Sequence, residues 1–143
     1  PSDGIKNINL KDINTLIISG MGTSTIIHIL NEKEKLSCIK KIVIQSNNNH
    51  EILRKYLNDI GYFMQNEIII CEKGKWYISG LFVKSSQKNT IEEIKYGYLN
   101  NKEYIKYLIK KNNNILKKIP KSNNYRKEIE KVIADLKNAI NDC

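Results

Sequence analysis

Cysteine is scarce and scattered in this chain: Cys38, Cys71 and Cys143 are odd in number, far apart and form no Cys-x-x-Cys pair. That spacing speaks against a disulfide framework and against a zinc site, leaving three reduced thiols. No apolar run approaches the roughly 20 residues that span a bilayer. The first residues show no basic-then-apolar leader, so the expectation is a soluble, cytoplasmic protein. No Ser-His-Asp or Cys-His set has supporting context and no carboxylate pair stands out, which removes the usual hydrolase chemistries. His28 lies among Ile26, Ile27, Ile29 and Leu30, and His50 opens another helical stretch. Both read as surface or partly buried side chains rather than as catalysts. Acidic side chains are also in short supply, 15 against 24 basic ones, for a formal charge of +9. An excess of that size favours an anionic partner, with nucleic acid ahead of membrane.

What the chain does have is an abrupt change of composition near its start. Thr15-Leu16-Ile17-Ile18-Ser19 is a short β-branched run that ends in Gly20-Met21-Gly22 and passes into Thr23-Ser24-Thr25-Ile26-Ile27. A buried parallel strand delivers its backbone to a ligand in this way before a helix begins. Lys41–Gln45 is a second such run, and the stretch from about Ser24 to Lys35 between them predicts a helix, giving a strand-helix-strand unit. Ser46-Asn47-Asn48-Asn49 then supplies a polar turn and an N-cap. Ile52, Leu53, Tyr56, Leu57 and Ile60 follow at helical spacing until Gly61 stops them. Glu67–Glu72 and Trp76–Lys84 predict two strands joined by Lys73-Gly74-Lys75, a linker short enough to require an antiparallel hairpin. Trp76 and Tyr77 alternate, one inward and one outward. Arg54 and Lys55 read as a solvated helix face.

Residues 85–101 are polar and mixed and read as a connection. Beyond them Ile105, Leu108, Ile109, Ile115, Leu116 and Ile119 form one apolar stripe interrupted by Asn112. Pro120-Lys121-Ser122-Asn123-Asn124 breaks it, and Ile129, Val132, Ile133, Leu136, Ala139 and Ile140 form a second. Two such stripes predict an antiparallel helical hairpin, a short coiled coil, with two surface helices packed on the sheet as the alternative. From Lys102 onward 11 basic residues stand against 5 acidic ones, compared with 13 and 10 in residues 1–101. The positive field therefore sits mainly on the tail. With 41% hydrophobic residues in 143, the chain can bury one ordinary core plus an appendage. The domain expectation is an α/β part over 1–89 and a linker with helical hairpin over 90–143.

A parallel half-sheet finished by an antiparallel hairpin is the second half of the Rossmann-like methyltransferase sheet, and the motifs sharpen the likeness. Ser2-Asp3-Gly4-Ile5, Ile18-Ser19-Gly20-Met21-Gly22, Ile44-Gln45-Ser46-Asn47, Leu53-Arg54-Lys55-Tyr56-Leu57 with Gly61-Tyr62, and Glu72-Lys73-Gly74-Lys75 with Tyr77 fall in a telling order and spacing. With the helical tail, they make the chain resemble the bacterial tRNA (adenine-22-N1)-methyltransferase family over essentially its whole length. The family's first strand, its glycine-rich loop for S-adenosylmethionine and the acidic residue for the ribose would all lie upstream of Ser2. The expectation is a chain that begins in mid-domain, short of roughly 80 residues by the size of such nucleotide-binding halves, and inactive alone.

The resemblance implies an enzyme that methylates N1 of an adenine in tRNA, with S-adenosylmethionine as cofactor, no metal, no membrane and a monomeric state. It places Asp3, Gly4, Ser19 and Gly20 against the cofactor, and Gly20, Met21, Gly22, Gln45 and Asn47 at the reacting base. Glycine permits close approach, methionine offers a polarizable surface to a flat ring, and the carboxamides can bond a base edge. Lys110, Lys111, Lys117, Lys118 and Arg126 are the expected grip on the tRNA backbone. Two positions depart from the family pattern: Ser46 where the family has proline, and Thr23 where it has a second glycine. The alternative reading is a non-enzymatic RNA-binding or helical interaction module with the α/β part as scaffold.

Overall fold

A computed structural model describes residues 4–5, 7–32 and 34–142. The order of elements is β1 (Thr15–Met21), α1 (Thr23–Leu30), a 3₁₀ turn (Lys35–Cys38), β2 (Lys41–Ser46), α2 (His50–Asp59), β3 (Tyr62–Glu72), β4 (Lys75–Lys84), α3 (Ile91–Tyr96), α4 (Lys102–Lys118) and α5 (Tyr125–Asp142). They divide into two compact units, Pro1–Tyr98 and Leu99–Cys143.

The first unit is built on a four-stranded sheet of order β1-β2-β4-β3. β1 and β2 pair in parallel through the crossover helix α1, whereas β4 runs antiparallel to both β2 and β3. Ile18, Ile42, Ile44, Phe82 and Met64 point to one face and form the core with Ile26 and Leu30 of α1 and Leu53 and Leu57 of α2. Strand alternation sends Ile17, Val43 and Leu81 to the opposite face, where they lie side by side across three strands. Ile17 there is 70% exposed, and Ile68 and Ile70 of β3 are more than half exposed.

Several boundaries differ from the sequence expectation. The first helix ends at Leu30 rather than near Lys35: the Asn31 N–H bonds the His28 carbonyl, and the Asn31 side chain accepts the Tyr56 hydroxyl at 2.9 Å. β3 begins at Tyr62, five residues earlier than expected, because a register shift between Met64 and Asn66 breaks its alternation. The hairpin loop is two residues, Lys73 and Gly74, both at positive φ (48° and 77°), as a type I′ turn requires. Tyr77 points outward and Trp76 is half-buried.

Within 85–101, Thr90 and Glu93 form a reciprocal capping box that starts α3. Arg54 does not lie on a solvated face: its guanidinium is buried and donates through Nε and Nη2 to Glu67 Oε1 at 2.9 and 2.7 Å, while Nη1 reaches the Ile94 carbonyl of α3. Lys55, by contrast, is exposed and pairs with Asp59.

In the second unit α4 and α5 pack on each other after the break at Pro120. Ile105, Ile129, Ile133 and Leu136 are buried. The interrupting Asn112 turns its amide back to the Leu108 carbonyl one turn earlier, at 2.9 Å.

Candidate active site

β1 and β2 end on the same side of the sheet, with Met21 opposite Ser46. Just before that point β1 has Ser19 and Gly20 where β2 has only Gln45, so one residue of β1 is bulged. Gly20 takes up the excess at φ +75°, a conformation that costs a residue with a Cβ but not glycine. One side chain from β2 and one from the loop after it then occupy both of its backbone groups. The Gly20 N–H donates to Gln45 Oε1 at 2.8 Å, and its carbonyl accepts from Asn47 Nδ2 at 2.9 Å. Gln45 Nε2 donates onward to the Ser46 carbonyl at 3.1 Å and to Asn47 Oδ1 at 3.3 Å. The Asn47 N–H holds the Met21 carbonyl at 3.0 Å.

Outside this clamp the surface is open. Ser19, Gly20, Met21 and Asn47 are exposed, Met21 by 40%, and a Cβ built on Gly20 meets nothing within 4 Å. Counting donors and acceptors, Asn47 retains one N–H and one lone pair, and Gln45 one lone pair. None of the residues at this rim titrates near neutrality.

Behind the rim lies a buried polar layer that sequence reasoning missed. Thr23 Oγ1 is 2.9 Å from Ser46 Oγ and 2.6 Å from the Asn48 carbonyl, and the Thr23 N–H donates to Asn48 Oδ1 at 3.0 Å. Thr23 and Ser46 are each 2% exposed. Gly22, the N-cap of α1, has no side chain, so Asn48 caps that helix from a neighbouring loop. Of the four residues expected to supply the turn and cap of α2, Asn49 occupies the N-cap position, at φ 48° and without a side-chain cap bond. The available signal was that Thr23 and Ser46 are the two departures from the family pattern, and they touch.

The structure thus brings together Ser19, Gly20, Met21, Gly22, Gln45 and Asn47. Asp3 lies outside the described residues. Gly4 does not join the group: at φ +60° it packs on Ile29, whose Cγ1 an added Cβ would meet at 3.0 Å. Ile29 stands six residues beyond Thr23, about 9 Å along the helix axis. Lys110 and Lys117 share one row of α4, and Lys111 and Lys118 another, all four exposed. Arg126 stands apart from them. Its Nη1 donates to the carbonyls of Leu116 and Ile119, closing the end of α4, and its Nε pairs with Glu130 at 3.0 Å. Among the described residues no three His, Cys, Asp or Glu side chains are grouped to hold a metal, and no helix is long and apolar enough to cross a membrane. Cys38 and Cys71 are free thiols.

A parallel pair continued by an antiparallel hairpin whose last strand is inserted next to it, with polar groups gathered at the carboxyl ends of the parallel strands, defines the Rossmann-like methyltransferase sheet. Comparison with known proteins agrees and is more specific. The chain belongs to the tRNA (adenine(22)-N(1))-methyltransferase family, whose sequence model matches residues 1–142. It is 33% identical over 76 residues to the tRNA (adenine(22)-N(1))-methyltransferase of Bacillus subtilis, a match covering 52% of this chain and 32% of that protein. Among solved structures, a protein of the NADB-Rossmann superfamily from Streptococcus agalactiae superposes with a TM-score of 0.85 at 30% identity, covering 97% of this chain and 65% of its own. TrmK of M. capricolum, solved in complex with S-adenosyl-homocysteine, the natural cofactor product, superposes with a TM-score of 0.80 at 27% identity over 98% and 66%. The chain therefore spans about two thirds of the length of these solved relatives.

Proposed function

We propose that this chain carries the base-accepting side of a methyltransferase that transfers a methyl group from S-adenosylmethionine to N1 of an adenine in tRNA, position 22 by its family. The observation that carries this reading is the bulge at Gly20, exposed together with Met21, with both backbone groups of Gly20 clamped by Gln45 and Asn47. Family membership over 1–142 and the cofactor product bound to the M. capricolum relative support it.

When bound, S-adenosylmethionine supplies an electrophilic methyl group. Of the four residues expected at the donor, Ser19 and Gly20 are placed together on the open rim, and the empty space over Gly20 leaves room for a group to approach the backbone. The chain's own contribution is alignment and exclusion of water. Neutral adenine N1 carries an in-plane lone pair and is already nucleophilic, so a rim without a titrating base suffices. The spare lone pairs on the Gln45 and Asn47 oxygens can accept from the exocyclic amine, leaving N1 free, while Met21 lies against the ring face. In folded tRNA that base must leave its stack, at a cost of a few kcal/mol which these contacts offset. The lysine rows of α4 supply a sequence-independent grip on phosphate. The reading includes a cytoplasmic, monomeric, metal-independent protein.

The test is mass analysis of unmodified tRNA incubated with donor and the full-length protein that carries this chain. One 1-methyladenosine per tRNA is expected. The non-enzymatic alternative has its own signature: tRNA binding without donor binding and without any methylated adenine.

A further inference from the structure

We infer that Thr23, Ser46 and Asn48 form a latch, built on the buried Thr23 and Ser46 hydroxyls, that fixes where Met21 is held, making them positioning residues for methyl transfer; this rests on the functional reading above. Met21 stands between two glycines, so its own segment gives it little stiffness; beyond the one bond from the Asn47 N–H to its carbonyl, its place is set by what grips the chain on either side. Before it, the Gln45 and Asn47 amides hold Gly20. After it, the grip is the Thr23 hydroxyl, which lies against both Ser46 Oγ and the Asn48 carbonyl.

With one proton on each hydroxyl, one consistent arrangement serves all three residues, with the Asn48 carbonyl a second acceptor for the Ser46 hydroxyl at 3.0 Å. Thr23 donates to the Asn48 carbonyl, Ser46 donates to Thr23 Oγ1, and the Asn48 N–H donates to Ser46 Oγ at 3.4 Å. The Thr23 N–H adds the bond to Asn48 Oδ1. The end of β1, the start of α1 and the loop after β2 are therefore joined through one buried hydroxyl pair. Neither hydroxyl reaches the exposed rim, so neither touches a base there; their effect passes through the backbone of Met21 and Gly22. Displacement of a reacting partner by about 1 Å costs up to about 100-fold in rate.

Thr23→Val keeps the shape and removes the hydroxyl. In the full-length protein it is expected to lower kcat about 10- to 100-fold while the KM for S-adenosylmethionine stays within about two-fold. Ser46→Ala is expected to follow it. Thr23→Ser, which keeps the hydroxyl, is expected to stay within about three-fold of wild type. Amide exchange of the same full-length protein supplies a readout independent of activity: the amides of Gly20, Thr23 and Asn47 should exchange faster in Thr23→Val, with Ile44 in the core unchanged. The inference is overturned by unchanged kcat, by Thr23→Ser being as impaired as Thr23→Val, or by a uniform rise in exchange that includes Ile44. A wild-type protein that methylates no tRNA contradicts the functional reading instead, and the local exchange pattern then still decides whether the latch exists.

Discussion

Side-chain amides do backbone work in this protein. At the bulge of β1 the Gln45 and Asn47 carboxamides occupy both polar groups of Gly20. Beside the irregularity in β3, buried Asn89 accepts the Met64 N–H at 2.8 Å and turns its Nδ2 toward the Met64 carbonyl, which the Tyr98 hydroxyl also bonds. A carboxamide carries the same donor and acceptor as a peptide unit and so can stand in for a missing ladder partner. Charge is handled with equal economy at Arg54 and Glu67, which are 6% and 3% exposed. Removing one partner strands a buried charge, so Arg54→Ala should cost about 3–5 kcal/mol in denaturant unfolding, whereas Arg54→Met with Glu67→Leu should recover most of it. Gly97 is tied to the same pair: at φ +75° an added Cβ would collide with Glu67 Oε2, and Gly97→Ala should destabilise by more than about 1 kcal/mol through strain and displacement of the carboxylate.

At the scale of elements, β1 shows how far one strand's two faces can differ. Ile18 is 6% exposed in the core and Ile17 70% exposed on the other face. Ile18→Ala should therefore cost about 2–5 kcal/mol and Ile17→Ala less than about 0.5 kcal/mol, read as a shift in unfolding midpoint at constant slope. Helix α4 makes a functional prediction. Replacing Lys110, Lys111, Lys117 and Lys118 by glutamine should weaken tRNA binding and reduce the slope of log affinity against log salt by up to about four, whereas Arg126→Gln should mainly loosen the hairpin. An unchanged slope would return the four lysines to simple solvation.

The strand-helix-strand unit, the hairpin and both tail helices were legible because each follows a single local period: β-branched runs for β1 and β2, and apolar residues three and four apart for α2, α4 and α5. Contacts that close over distance were not. Arg54 read as solvated because its partner is 13 residues away on β3. The start of β3 was hidden by the irregularity at Gln65, and α3 by its brevity. At the site, the glycine bulge was legible as a strand ending in Gly-Met-Gly. The hydroxyl latch was not, since Thr23 and Ser46 are 23 residues apart.

At the scale of the whole molecule, stability draws on a tyrosine that resists ionisation where it sits. Tyr62 is 2% exposed and donates its hydroxyl to the Ile39 carbonyl at 2.9 Å; burial pushes its pKa from 10.0 up to about 12. The unfolded chain loses that proton near pH 10 while the folded one keeps it, so this contribution is complete below pH 10 and is lost as the pH climbs toward about 12. Tyr62→Phe should flatten that part of an alkaline unfolding curve.

The claim on which the rest depends is that the bulge at Gly20 shapes the acceptor pocket. Gly20→Ala tests it, because the added Cβ meets no protein atom within 4 Å and so acts only on the backbone held at φ +75° and on the open space above it. The measurement is the rate at which the full-length protein forms 1-methyladenosine in tRNA, with and without this change. The account predicts formation by the wild type, and a loss of about 10-fold or more in the variant. Equal rates in the two proteins, or a methyl group found on a different base, would contradict it.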